Sequence, residues 1–110
     1  KKKKRRAPNK AEREHMDRVS DLGCVVCRMR GYYGVPAEIH HIEGKTRKGS
    51  HFRVLPLCFN HHRGGRDSEP VSRHPYKRRF IDAYGTEEEL LRKVDQYLQH
   101  DSIEDDYELF

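Results

Sequence analysis

The sequence predicts a small α+β domain that depends on bound metal for stability, because its composition leaves little material for a hydrophobic core. Only 34% of the 110 residues are hydrophobic, and tryptophan is absent; ordinary globular chains have roughly 45–50%. Five possible metal ligands lie in two short runs near the middle of the chain, 39–42 and 57–62. A chain this small and polar usually needs a cross-link, and metal is the one these residues offer.

Two β-type segments are expected around those runs, one from Ala37 to Ile42 and one from Phe52 to Leu57. Pro56 favours a sheet edge for the second segment, because proline cannot donate a hydrogen bond to a neighbouring strand. Strict alternation would send His40 and His41 to opposite faces. Both can serve one site only if they lie at the strand end, where twist or a bulge redirects one of them.

Helical patterns lie on either side of the strands. Asn9 and Glu12 have the spacing of a capping box, which predicts a first helix from about Lys10 to Leu22. Pro75 marks the expected start of a second helix, which ends before Gly85.

A last helix is predicted to follow a second capping box, formed by Thr86 and Glu89, and to have His100 near its C-terminus. Its apolar residues repeat at helical spacing and are expected to pack in the core. They are Leu90, Leu91, Val94, Tyr97 and Leu98.

The cysteines and histidines form two half-sites of a metal-binding pattern. Cys24-x2-Cys27 and Cys58-x2-His61 together make a tetrahedral zinc set, in which each two-residue gap lets one turn present both ligands. Three cysteines cannot all be paired in disulfides, and thiols kept reduced for metal suit a cytosolic protein. If a helix begins at Cys58, His62 is rotated by about 100° from the shared face and can serve a different site. We therefore expect one structural and one catalytic metal site.

Positive charge is concentrated around the expected catalytic site. Residues 1–10 carry seven basic and no acidic groups, whereas residues 101–110 carry five acidic and no basic groups. The segment 45–79 has ten basic residues against Asp67 and Glu69. The polar loop 43–50 has three of those basic residues and suits phosphate contacts. A phosphate backbone is the expected partner of such a surface.

The same runs resemble the HNH, or ββα-metal, nucleases, in which a His-His pair ends one strand and a short helix after the next strand bears a metal-binding histidine. Over residues 16–94 the likeness is closer to the phage recombination-enhancement (Ref) family of RecA-dependent nucleases. It rests on GCVVC, AEIHHIEG, SHFRVLPLCFNHHRGG, His74 and FIDAYGTEEELL. Arg53 stands where the HNH motif usually has Asn, and His51 is the nearby candidate for the loop-ordering role of that Asn.

The resemblance implies a small zinc-stapled HNH (ββα-metal) nuclease domain that hydrolyses phosphodiester bonds. His41 would be the general base, with a pKa near neutrality. His40 and His62 would hold a divalent metal, Mg²⁺ or Mn²⁺, with Zn²⁺ possible in crystals. His74 is the best candidate for a further ligand, and a shell of histidines, water and phosphate oxygens is expected because few carboxylates compete for the metal.

The expected partners are single-stranded and duplex DNA and, through the family resemblance, a RecA filament. A phage protein of this kind would act in the cytoplasm of the bacterial host, without a membrane segment and as a monomer. The candidate DNA-binding residues are Lys1, Lys2, Lys3, Lys4, Arg5, Arg6, Lys45, Arg47, Lys48, His51, Arg63, Lys77 and Arg78.

Three segments are expected: a disordered basic tail at 1–9, the nuclease domain with its structural zinc at 10–100, and an acidic tail at 101–110. Two other functions fit parts of the pattern. A non-catalytic zinc-stabilised DNA-binding module explains the cysteines and the basic surface but not the additional imidazoles. An adaptor with an inactive nuclease site, recruiting a recombination filament through its tails, is the other alternative.

Overall fold

In the described part of the chain, helices pack against a two-stranded antiparallel sheet. The fold is known from a computed structural model, which describes residues 6–108 and the side chains of residues 6–102. In chain order the elements are α1 (Lys10–Asp21), α2 (Val25–Met29), β1 (Glu38–His41), a 3-10 turn (Ser50–Phe52), β2 (Val54–Leu57), a π-helical turn (Asn60–Gly64), α3 (Lys77–Tyr84) and α4 (Glu87–Glu108).

The two strands pair in a regular register that fixes where the first two histidines lie. Glu38 faces Leu57 at one end of the ladder, and His41 faces Val54 at the other. All residues of β2 are buried, whereas β1 is only partly covered. The π-helical turn follows β2 after two residues, so its histidines lie near β1.

The core is formed where α1, α2 and α4 pack on β2. Leu55 of β2 and Phe80 of α3 are completely buried, as is Val19 of α1. Burying an aliphatic or aromatic side chain of this size stabilises the fold by about 1.5–3 kcal/mol. The predicted stripe of the last helix is confirmed as core: Leu90 and Val94 are buried, and its other three residues pack against the same cluster.

Both predicted capping boxes are present. The Asn9 side chain accepts from the backbone N–H of Glu12 at 2.8 Å, and the Glu12 carboxylate accepts from the N–H of Asn9 at 2.9 Å. Thr86 and Glu89 make the reciprocal pair at the start of α4, at 3.1 and 3.2 Å. These bonds satisfy N–H groups that the first turn of a helix leaves without a partner.

Two helix ends differ from the sequence-based prediction. Helix α3 begins at Lys77 and not at Pro75, with Tyr76 as its N-cap. Helix α4 continues to Glu108, so His100 lies inside the helix and not in its last turn. The continuation brings Asp101 to Arg28, whose guanidinium donates to both carboxylate oxygens at 2.8 and 2.9 Å. This pair ties the helix to the end of α2.

None of the helices within residues 6–108 has the length and apolar character needed to cross a membrane.

Candidate metal centres

The first cluster contains three thiols and one imidazole, delivered by α2, the end of β2 and the π-helical turn. Cys24 is the N-cap of α2, and Cys27 lies one turn later in that helix. Cys58 follows β2 directly, and His61 lies in the π-helical turn. Their ligand atoms all lie within 4.8 Å of one another. The four residues predicted from the sequence are thus brought together at one point and could hold a metal ion.

The distances within this cluster fit a tetrahedral zinc ion. With Zn–S bonds of about 2.3 Å and Zn–N bonds of about 2.0 Å, the edges of the tetrahedron are about 3.8 Å between sulfurs and about 3.5 Å from sulfur to nitrogen. The Sγ atoms of Cys27 and Cys58 are 3.9 Å apart. Nδ1 of His61 lies 3.6 Å from Sγ of Cys27 and 3.7 Å from Sγ of Cys24. The edge from Nδ1 of His61 to Sγ of Cys58, at 3.1 Å, is shorter than the ideal.

Burial makes these thiols poor acids without a bound cation. The pKa of Cys24 is raised mainly by burial, and the pKa of Cys27 is raised by burial and by the neighbouring sulfurs. Thiolates, and not thiols, bind zinc. Metal binding at this cluster must therefore release protons.

The ring nitrogen of His61 that faces away from the cluster also has a hydrogen-bond partner. Its Nε2 lies 3.1 Å from a carboxylate oxygen of Glu69. Glu69 in turn accepts from the hydroxyl of Tyr84 and from Arg30. A carboxylate beside Nε2 holds the proton on that nitrogen and leaves Nδ1 as the ligand atom. Metal-binding histidines commonly have such a carboxylate partner.

The second cluster is a triangle of imidazoles. His40 of β1, His62 of the π-helical turn and His74 have ring centroids 5.1 to 5.2 Å apart in every pair. Each offers one nitrogen within 4.8 Å of the other two. His40 is buried, His62 is half-buried and His74 is exposed, so the cluster is open to solvent on one side.

Backbone hydrogen bonds hold His74 in this triangle. The N–H of Arg73 donates to the carbonyl of His61 at 2.9 Å, and the N–H of His74 donates to the carbonyl of His62 at 2.8 Å. The hydroxyl of Ser72 donates to the carbonyl of His74 at 2.7 Å. The loop before α3 is therefore attached directly to the π-helical turn and delivers the third imidazole.

Carboxylates bind the other ring nitrogens of two members of the triangle. Nε2 of His40 lies 2.7 Å from Glu87, the first residue of α4. Nδ1 of His62 lies 2.8 Å from Glu38 of β1. With a carboxylate accepting a proton at one nitrogen, the opposite nitrogen of each neutral ring carries its lone pair. Nδ1 of His40 and Nε2 of His62 are thus the atoms that can bind a metal.

Both carboxylates are held in the charged form. Burial would raise the pKa of Glu87, but hydrogen bonds from His40 and Arg73 bring it below its ordinary value. Arg63 and then His62 lower the pKa of Glu38 to about 2. Charged carboxylates make the histidines better donors to a cation.

His41 has a different environment from its neighbour His40, as strand alternation predicts. Its Nε2 lies 2.9 Å from Nδ1 of His51, and the two rings are 5.0 Å apart. Burial, then Lys45, His51 and His40, lower the pKa of His41 to about 4. The expectation of a pKa near neutrality is therefore wrong: the ring is uncharged at pH 7, as a proton acceptor must be.

The residues predicted to contact phosphate differ in their exposure and in their existing hydrogen bonds. Arg6, Lys45, Arg47, Lys48, Lys77 and Arg78 are exposed, whereas Lys1–Arg5 lie outside the described residues. Arg63 is exposed but donates twice to Glu38, at 2.7 and 2.9 Å. His51 is only 4% exposed and both of its ring nitrogens have partners, which corrects its prediction as a DNA contact.

The two clusters differ in the way that separates structural from catalytic metal sites. The first offers four ligands, three of them buried, and leaves no position for a substrate. The second offers three ligands, one of them exposed. Closed four-ligand sites usually stabilise a fold, whereas three-ligand sites keep a position for water or substrate. A small α+β protein with both clusters could hold one metal ion in a closed site and another in a site that is open on one side.

Comparison with known families shows what kind of protein this chain is. Residues 8–99 match the family described as recombination enhancement, RecA-dependent nuclease. The match covers most of the chain, and the chain belongs to that family. The family's description connects the chain with nuclease activity, recombination and RecA.

Sequence reasoning missed the three carboxylates that support the histidines. Glu38 was detectable, because it lies two residues before His40 and alternation places the two on one strand face. Glu69 and Glu87 gave no such signal. They reach their histidines through the loop before α3 and through the start of α4.

Proposed function

We propose that this chain is a DNA endonuclease of the HNH (ββα-metal) type, acting on DNA that a RecA filament has paired. His40, His62 and His74 hold one divalent cation, Mg²⁺ or Mn²⁺, and His41 is the general base. Cys24, Cys27, Cys58 and His61 hold a structural zinc. The observation that carries the proposal is the open triangle of three imidazoles, one of which, His40, directly precedes the uncharged His41 at the end of β1.

Hydrolysis of a phosphodiester needs a base for the attacking water and positive charge for the transition state and the leaving oxygen. The cation held by the triangle would supply the positive charge. His41 takes the proton from water, since its low pKa keeps a lone pair on the ring at neutral pH. Its half-buried position leaves the ring accessible from solvent.

A bound cation explains the orientation of the imidazoles in the triangle better than packing alone does. Rings that merely packed together would not need charged carboxylates on their outward nitrogens. Glu87 and Glu38 fix both the orientation and the tautomer of His40 and His62, which leaves a lone pair on each ring. Glu87 is itself held by Arg73, at 3.1 Å, and is largely buried.

The DNA strand is proposed to lie along the loop between β1 and the 3-10 turn, where Lys45, Arg47 and Lys48 are exposed. Phosphate contacts of this kind position a strand without reading its sequence. Addressing by sequence then comes from base pairing in the RecA filament. The exposed Lys77 and Arg78 of α3 extend the basic surface. A single nuclease domain is proposed, between a basic N-terminal segment, 1–9, and an acidic C-terminal segment, 101–110, into which α4 continues. It acts as a monomer in the cytoplasm of the bacterial host.

Cleavage of RecA-paired DNA tests the proposal. A labelled duplex is incubated with the protein, with and without a RecA filament on a matching single strand, in Mg²⁺, Mn²⁺ or chelator. We expect cuts confined to the paired region, in the presence of a divalent cation. Binding to DNA without cleavage under every condition would favour the zinc-stabilised DNA-binding module. Equal cleavage of free and paired duplex would remove the RecA filament from the proposal.

A further inference from the structure

A chain of two hydrogen bonds joins His41 to the polypeptide backbone near the N-terminus. Nε2 of His41 lies 2.9 Å from Nδ1 of His51, and Nε2 of His51 lies 2.6 Å from the carbonyl oxygen of Arg6. His51 is almost completely buried in the 3-10 turn, whereas His41 is half-buried. The middle ring of the chain is thus shielded from water.

The carbonyl at one end determines the direction of both hydrogen bonds. A carbonyl oxygen can only accept, so Nε2 of His51 carries the proton. In the neutral ring Nδ1 of His51 has a lone pair and accepts from Nε2–H of His41. The lone pair of His41 is therefore on Nδ1.

We infer that His51 is a positioning residue for His41, and that it holds the general base in the one tautomer whose Nδ1 accepts the proton from water. The inference rests on the proposed function of His41. His51 touches neither substrate nor metal in this arrangement. Its effect is on the orientation of the His41 ring and on the nitrogen that is free to react, the role that the partner of a catalytic histidine commonly has.

Arg6 is fixed in place on the other side of His51. Its backbone N–H donates to the carbonyl of Lys45 at 2.8 Å, and its side-chain Nε donates to the carbonyl of Thr46 at 3.1 Å. The loop that bears the candidate phosphate contacts is thereby bonded to the residue whose carbonyl orients His51. This connection gives the first described residues of the chain a role in arranging the site.

A purely structural role for His51 would need only its volume in the core. His51 also makes two hydrogen bonds to defined atoms, which a purely structural role does not require. Variants that keep its volume but change these bonds separate the two roles. Leucine keeps the apolar volume and removes both bonds. Asparagine places an amide oxygen near the position of Nδ1 and can still accept from His41.

The first test reads the tautomers directly in the zinc-loaded protein without DNA. Long-range ¹H–¹⁵N correlation spectra of ¹⁵N-labelled imidazoles distinguish a protonated from an unprotonated ring nitrogen, and the chain is small enough for them at 13.1 kDa. We expect protons on Nε2 of both His41 and His51. A proton on Nδ1 of His41 would overturn the inference. This result does not depend on nuclease activity, so it separates the inference from the proposed function.

The second test compares variants on RecA-paired DNA. His51→Leu should lower kcat by about 10- to 100-fold with KM unchanged, the size of effect usual for an orienting partner. His51→Asn should recover most of that loss. His15→Leu is the matched control, because His15 contacts Phe52 of the same 3-10 turn, with ring centroids 5.4 Å apart. It should leave kcat unchanged.

Two kinetic results would contradict the inference. One is a His51→Leu variant that cleaves at the wild-type rate. The other is an equal loss in His51→Leu and His51→Asn while the tautomer of His41 stays as in the wild type. If His51→Leu does not fold, the spectra of the wild type and the rates of His51→Asn still decide the question.

Discussion

The carboxylate of Glu87 lies 2.7 Å from Nε2 of His40, so the first residue of the longest helix contacts a histidine in the middle of β1. The contact joins residues 47 positions apart. It makes the start of α4 part of the candidate catalytic centre. The proposed metal ligand His40 is thus oriented by α4, a helix whose sequence pattern predicts only a role in the core.

Replacing Glu87 tests whether this contact prepares a metal site. Glu87→Gln keeps the size of the side chain but removes the charge that holds the proton on Nε2 of His40. We expect about 10- to 100-fold weaker binding of Mn²⁺, measured by calorimetry on zinc-loaded protein. Glu88→Gln is the control, because Glu88 is the next residue of α4 and pairs with Arg53 instead. Equal affinity in all three proteins would return His40 to a packing role.

Loss of one thiolate from the first cluster should destabilise the whole domain. The first cluster connects α2 to the end of β2 through Cys24, Cys27, Cys58 and His61. The binding energy of a structural zinc is largely folding energy. We expect Cys58→Ser to melt well below the wild type and to change little when a chelator is added. Calorimetric melting curves with and without chelator measure this. Identical curves for wild type before and after chelation would refute the structural role.

The pH dependence of cleavage follows from the lowered pKa of His41. The base works in its neutral form, and a pKa of about 4 keeps it neutral well below pH 6. An ordinary histidine, with a pKa of about 6.5, would lose half of its active form at about pH 6.5. We therefore expect kcat at saturating Mn²⁺ to stay flat from neutral pH down to about pH 5. A halving of kcat near pH 6.5 that disappears in His41→Ala would contradict this expectation.

Removal of phosphate contacts should change DNA binding and not chemistry. The double variant Arg47→Ala, Lys48→Ala removes two exposed cations from the loop after β1. Each lost contact should reduce the slope of log affinity against log salt by about one unit. Fluorescence anisotropy at several salt concentrations measures the slope. Arg92→Ala, Lys93→Ala on α4 is the control, and an equal change in both would indicate a general effect of net charge.

The members of the two clusters could be predicted in part from the sequence, because much of their spacing is local. Cys24-x2-Cys27 and Cys58-x2-His61 each place two ligands within one turn, and His62 follows on another face. The strand histidines were also readable, since His40 lies within an alternating apolar run. Such signals need no knowledge of the tertiary fold.

Apart from Glu38, the supporting contacts could not be predicted, because they depend on packing between distant elements. His51 pairs with His41 only because β1 and β2 bring the 3-10 turn beside the strand end. The low pKa of His41 follows from that burial and from the nearby charge of Lys45. The end of α4 was misjudged for a similar reason, since the pairing of Asp101 with Arg28 joins residues 73 positions apart.

Cleavage by His41→Ala tests the central claim most directly. The variant is compared with wild type on RecA-paired DNA at saturating Mn²⁺, after zinc content and DNA affinity are shown to be equal. Loss of a general base lowers the rate by roughly 10²- to 10⁴-fold without weakening substrate binding. We predict a fall of that size in the single-turnover rate. A wild-type rate, or a defect that comes mainly from weaker DNA binding, would show that His41 is not the base.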